Sequence, residues 1–242
     1  MDRVRLSIRM SIIALYAAFF CSAGLQGQAF ELKVKPLSEK SSFGPNRLHF
    51  THFFLGTAWI PPVSRAGDSQ TGFSLGFRGG LRYKIRLSRP LALVAEAGIA
   101  GQKFRMQPGL PLLPGDTLSF RRQSLSVTGF EGAFGLRVRL GQRGNYLGTY
   151  IDAGISATTP VSSVLSTTLP SPESGGSGIR SDMKIKRRID CIRPFLYAPF
   201  VRLGFDKLAV QVSWRPSAMT DQPANYDMPA LQIGIEFSPV RY

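Results

Sequence analysis

From Gly72 to Leu87 the chain alternates apolar and polar residues almost one for one. Phe73, Leu75, Phe77, Leu81, Tyr83, Ile85 and Leu87 share one parity; Ser74, Gly76, Arg78, Gly80, Arg82, Lys84 and Arg86 share the other. Only an extended strand keeps these two sets on separate faces, because a helix would scatter both around its circumference. The pattern recurs. Phe130, Phe134, Leu136, Val138 and Leu140 oppose Gly129, Glu131, Gly135, Arg137 and Arg139. Between Tyr146 and Ala157, Leu147, Ile151, Ala153 and Ile155 oppose Tyr146, Tyr150, Asp152 and Ser156. Leu208, Val210, Val212 and Trp214 oppose Ala209, Gln211, Ser213 and Arg215, and Leu231, Ile233, Ile235 and Phe237 oppose Gln232, Gly234, Glu236 and Ser238. His49–Ile60, Leu91–Arg105 and Cys191–Phe205 alternate less cleanly, the last carrying Pro194 and Pro199. About eight strands result, each long enough to cross a bilayer when tilted.

The connections alternate in length. Pro61–Thr71, Gln107–Leu118, Thr159–Ser181 and Pro216–Pro229 are long; Ser88–Pro90, Gly141–Asn145 and Asp206–Lys207 are short. Antiparallel neighbours joined this way put every long loop at one end and both chain ends at the other, which is the asymmetry of transmembrane barrels. The expected fold is all-β: a closed, antiparallel, up-and-down transmembrane β-barrel of about eight strands, from residue 48 to 242. A soluble lipocalin-like binding barrel would alternate in the same way.

Composition favours the transmembrane barrel. The 242 residues include 25 glycines, more than the usual ~7%. Gly76, Gly80, Gly98, Gly135, Gly154 and Gly234 fall on the polar face. Glycine on a water-washed face sacrifices strand propensity for nothing, whereas in a narrow lumen it leaves room for neighbours. The same face carries Arg78, Arg82, Glu96, Glu131, Arg137, Arg139, Asp152, Arg202, Arg215 and Glu236. Opposite charges on one face are expected to pair inside a lumen, since a buried charge needs a partner. Glu131 with Arg137 or Arg82 is the expected contact. Trp59 and Trp214 fall at the long-loop ends of strands, and Tyr83, Phe205 and Phe237 near the short-turn ends, as two interfacial girdles would require.

The first residues read as an export signal. Arg3, Arg5 and Arg9 precede an apolar run, Met10–Phe20, and Gly27-Gln28-Ala29 offers a small-residue cleavage site, so residues 1–29 are expected to be removed and 30–47 to form a flexible lead-in. Phe20, directly before Cys21, suits lipoprotein processing poorly. Cleavage would leave Cys191 as the sole cysteine, which excludes a disulfide framework. No triplet glycine repeat, no second long apolar run and no shortage of apolar residues argue against collagen, a helical transporter and a disordered chain.

Here a resemblance adds to the reading. The export signal, the hairpin GFSLGFRGGLRYKIRLSRPLALVAEAGIAGQKFRM and the closing strand LQIGIEFSPVRY resemble the outer-membrane β-barrel domain family of PorT-like proteins over Leu48–Tyr242. The resemblance implies an outer-membrane location but no single activity, since members include structural barrels and secretion accessories. The aromatic closing strand, with Phe237 and Tyr242, resembles the signal read by barrel-assembly machinery.

Chemistry is sparse. His49 and His52, the only histidines, sit three residues apart on a strand and so point to opposite faces, a poor dyad or metal pair. No nucleotide loop or zinc spacing is present, and neither catalytic residues nor cofactors are expected. The net charge of +15 is densest at Lys184, Lys186, Arg187 and Arg188, read as a basic outer loop. For an exported barrel, outer-membrane lipid and lipopolysaccharide are nearer partners than nucleic acid. The expected role is structural or interactive, an accessory to envelope assembly or protein secretion. The alternatives are a narrow anion-preferring pore, a lipid A-modifying membrane enzyme and a soluble lipocalin-like binding barrel.

Overall fold

The computed structural model describes residues 44–45, 47–64, 67–68, 73–106, 122–140, 146–169, 183–189, 192–220 and 228–240. The expected export signal (residues 1–29), Cys21, Cys191 and Tyr242 lie outside them. Eleven strands form among the described residues: β1 (His49–Ile60), β2 (Val63–Ser64), β3 (Gly67–Asp68), β4 (Ser74–Arg86), β5 (Leu91–Met106), β6 (Arg122–Arg139), β7 (Thr149–Leu169), β8 (Met183–Arg188), β9 (Leu196–Phe205), β10 (Leu208–Trp214) and β11 (Leu231–Phe237).

Eight of them close a barrel in the order β1-β4-β5-β6-β7-β9-β10-β11, with β11 pairing back onto β1 and every pair antiparallel. Closure leaves the barrel no open edge. The tightest turn is Asp206–Lys207, where Asp206 takes φ 54°. The chain enters β1 at this same end, where Arg86 donates to the Leu48 carbonyl, and leaves β11 beside Lys207. Within the lead-in, Arg47 closes a turn onto Gly44, and the buried Pro45 carbonyl accepts from Lys84 Nζ.

The interior glycines serve mainly close backbone approach rather than arginine room. Gly80 pairs with Gly98, and Gly135 with Gly154. A Cβ on Gly80 would stand 2.2 Å from the Ala97 carbonyl oxygen, and one on Gly154 2.3 Å from that of Phe134. No side chain fits between strands coiled this tightly.

Three expectations about elements are corrected. The segment from Thr159, read as loop, continues as strand to Leu169 against β6. The period hid this because a bulge interrupts it. Thr128 faces Ser162 while Gly129 faces Pro160, so Val161 is left over. One extra residue switches the parity that faces inward, and Pro160 sits where the ladder is already broken. Ser156 is buried before the bulge, Ser163 and Leu165 after it. The basic cluster Lys184, Lys186, Arg187 and Arg188 is not loop but strand β8, which pairs with the far end of β7 above β9. Leu147, assigned outward, is buried and Tyr146 exposed. Gly148 has φ +68°, so the chain turns before β7 begins and the alternation does not extend back to them.

Candidate functional site

The outer wall is apolar around the middle of the barrel. Phe53 is 64% exposed, Phe134 61% and Ile235 61%; Leu55, Ile99, Ile155 and Val201 are also exposed. Trp59, Phe205, Trp214 and Phe237 are exposed on this wall, the tryptophans at the long-loop ends of β1 and β10 and the phenylalanines at the opposite ends of β9 and β11. Tyr83 is half-buried near the short-turn end of β4, its hydroxyl 2.8 Å from His49 Nδ1.

The lumen is polar at its centre. Strand register sets its side chains shoulder to shoulder: Arg137, Asp152, Arg202 and Gln211 are direct cross-strand partners along β6, β7, β9 and β10, and His52, Arg82 and Glu96 along β1, β4 and β5. Arg202 and Arg82 are fully buried. Arg202 reaches Glu96 (2.6 Å), Asp152 (3.0 Å) and Glu236 (3.0 Å), and its Nη2 donates to Gln211 Oε1 (2.6 Å). Arg82 binds Glu96 (2.6 Å) and Glu236 (2.5 Å). Arg137 grips Asp152 with both Nε (2.7 Å) and Nη2 (2.8 Å). Arg78 touches Glu96 (2.8 Å), Glu131 (3.3 Å) and Glu236 (3.2 Å).

Arg78, Arg82, Arg137 and Arg202 thus face Glu96, Glu131, Asp152 and Glu236, four charges of each sign. Multiple partners per ion offset a desolvation cost that a single pair would not. Phe54 lies against Arg78 and Arg82, with guanidinium carbons 5.1 and 4.7 Å from the ring centre. The Tyr150 ring takes Arg137 at 3.6 Å. Alternation in β1 obscured Phe54, because aromatics there occupy both faces.

Two members of the expected network lie elsewhere, and one pairs differently. Arg215 leaves the centre for the long-loop end, donating to the carbonyls of Ser217 (2.7 Å), Met228 (3.0 Å) and Pro229 (3.0 Å). Arg139 lies at the short-turn end, against the Tyr146 carbonyl (3.2 Å). Glu131 pairs with Arg78 rather than Arg137 or Arg82. The reason is register: Glu131 is cross-strand to Gly98 on β5, whereas Arg137 is beside Asp152 on β7.

The lumen is not polar throughout, as the sequence had suggested. Toward the long loops its wall turns apolar: Ile60, Phe104, Met106, Leu125, Val127, Leu165, Ile189, Ile192, Leu196, Met219 and Met228 form one buried cluster. Leu147, Tyr150 and Val240, with Phe50, form a second at the short-turn end. Between the network and the upper cluster lies a small cleft, partly open to solvent and lined by small residues such as Ala58, Gly76, Ala100, Ser156 and Ser213.

His52 is buried and stacks on Phe50 with ring centres 5.2 Å apart. Neither of its ring nitrogens meets a hydrogen-bond partner, so it forms no Ser–His dyad among the described residues. No group of acidic, His or Cys residues suited to a metal ion occurs among them either. What this interior can do chemically is hold eight strands in one register and fill the space a channel would need. The chain matches no model of a known protein family and no curated protein.

Proposed function

We propose that this chain is an integral outer-membrane β-barrel with a structural or interaction role, an accessory to envelope assembly or protein secretion of the kind the PorT-like resemblance implies. One observation carries the reading: a barrel with a charged interior wears a continuous apolar wall that no described element covers. In water such a wall would be an aggregation liability. In lipid it is the required surface, and closure satisfies the backbone groups. The same wall speaks against a soluble binding barrel. The balanced network removes the arginine excess on which an anion-preferring pore rested. Lipid A modification finds no constellation among the described residues to support it. Recognition of an envelope partner falls to the long-loop end, and barrel-assembly machinery is the expected partner during biogenesis.

Heat-modifiable gel migration of the full chain in membrane fractions tests the reading. A compact band that shifts on boiling is expected. Quantitative recovery in the soluble periplasm would sink it.

A further inference from the structure

Beyond the apolar belt, β5–β8 project as a panel on which the two faces exchange character. Phe104, Met106, Leu125, Val127 and Leu165 point inward and are buried. The outward face is basic. Lys103 stands opposite Ser126, Ser126 opposite Val164, and Val164 opposite Arg188. One step further out, Arg105 stands opposite Ser124, Ser124 opposite Ser166, and Ser166 opposite Lys186; then Arg122 opposite Thr168. Lys103, Arg105, Arg122, Lys186 and Arg188 are all exposed. They come from three separate stretches of sequence, and no acidic residue shares this face among the described residues. Neighbouring strands lie about 4.8 Å apart and same-face residues about 6.8 Å apart along a strand, so the cations form a grid with serine and threonine hydroxyls between them.

Below the grid on the same outward face, Phe77 of β4 stands opposite Gly101, the next outward position beneath Lys103, and Ile99 follows one position further; both are exposed. A basic field bordering an apolar belt is the complement of a lipid surface at its headgroup level, where anionic phosphates are concentrated. We propose that this face binds the phosphates of anionic lipid headgroups, with phosphorylated lipid A as the probe. The proposal rests on the membrane reading above and gives it a specific contact surface. Arginine and lysine serve different parts of it: the guanidinium fork grips a phosphate with two hydrogen bonds, while lysine acts as a mobile point charge.

The full chain, folded in dodecyl maltoside and verified by heat-modifiable migration, is titrated with bisphosphorylated lipid A and with the same lipid dephosphorylated. Binding is expected to be about tenfold or more weaker for the dephosphorylated lipid, and for the variant K103S/R105S/R122S/K186S/R188S. A variant removing cations at the short-turn end, R47S/R89S/K207S, should bind as the wild type does. Folded wild type that binds both lipids alike, or a folded five-site variant that keeps wild-type affinity, would overturn the proposal and leave the barrel reading standing. Recovery of the chain in the soluble periplasm would overturn both.

Discussion

Arg202 shows how much one side chain can hold. It enters from β9 and meets carboxylates from β5, β7 and β11, so four strands converge on one guanidinium. Removing it takes one cation from three buried carboxylates, leaves Arg78, Arg82 and Arg137 to face four acids, and so leaves an uncompensated buried charge; losing one partner of a buried ion set costs about 3–5 kcal/mol. Arg202→Ala is therefore expected to lower the unfolding free energy of the vesicle-inserted barrel by that order, read from its urea midpoint. Arg202→Lys, which keeps the charge but not the planar fork, should lose less. A midpoint for Arg202→Ala within about 0.5 kcal/mol of wild type, the scale of an ordinary surface change, would contradict the hub role. Alternation alone marked Arg202 and its carboxylates as one face, but not which pairs form. The expected Glu131–Arg137 contact fails because that choice depends on registers between separate strands.

At the level of elements, the panel formed by β5–β8 is where periodicity was least legible. Its Ser/Thr-rich segment lacks the apolar outward face that marks a lipid-facing strand, and the bulge at Val161 breaks the count. Strand pairing, not composition, makes it a strand. This exchange of faces also marks a boundary. Ile155 lies in the apolar belt, whereas Ser126 lies on the polar panel, and both point outward. Arginine facing lipid near the bilayer midplane costs about 2–4 kcal/mol, falling to about 0–1 near the interface. Ile155→Arg should therefore destabilise the vesicle-inserted barrel by about 2–4 kcal/mol, and Ser126→Arg should be close to neutral. Equal effects at the two positions would remove the boundary. Within the upper cluster, Leu125→Ala and Phe104→Ala each open a cavity in a fully buried site, with an expected loss of about 2–5 kcal/mol measured the same way.

On the scale of the whole molecule, charge is sorted by place. The central network is balanced, while basic side chains gather at the two ends: Lys84, Arg86, Arg89 and Arg139 line a crevice at the short-turn end, and the basic panel flanks the long-loop end. Apolar clusters lie above and below the network. An eight-stranded barrel has an interior that side chains can fill, and here guanidinium groups and rings fill it. Wild-type protein in a planar bilayer is accordingly expected to carry no steady current. Sustained single-channel conductance would show that the interior rearranges in the membrane.

The sequence by itself determined the all-β class, the eight barrel strands, the alternation of short and long connections, and which residues form the charged face. Each of these follows from local periodicity, a property of neighbours along the chain. The tertiary structure alone decided which charges pair, that Arg215 and Arg139 stand apart, that the upper lumen is apolar, and that five cations from three stretches share one outward face. Those outcomes depend on strand register and closure, which bring together residues as distant as Arg82 and Glu236. No pattern within a single strand carries that information.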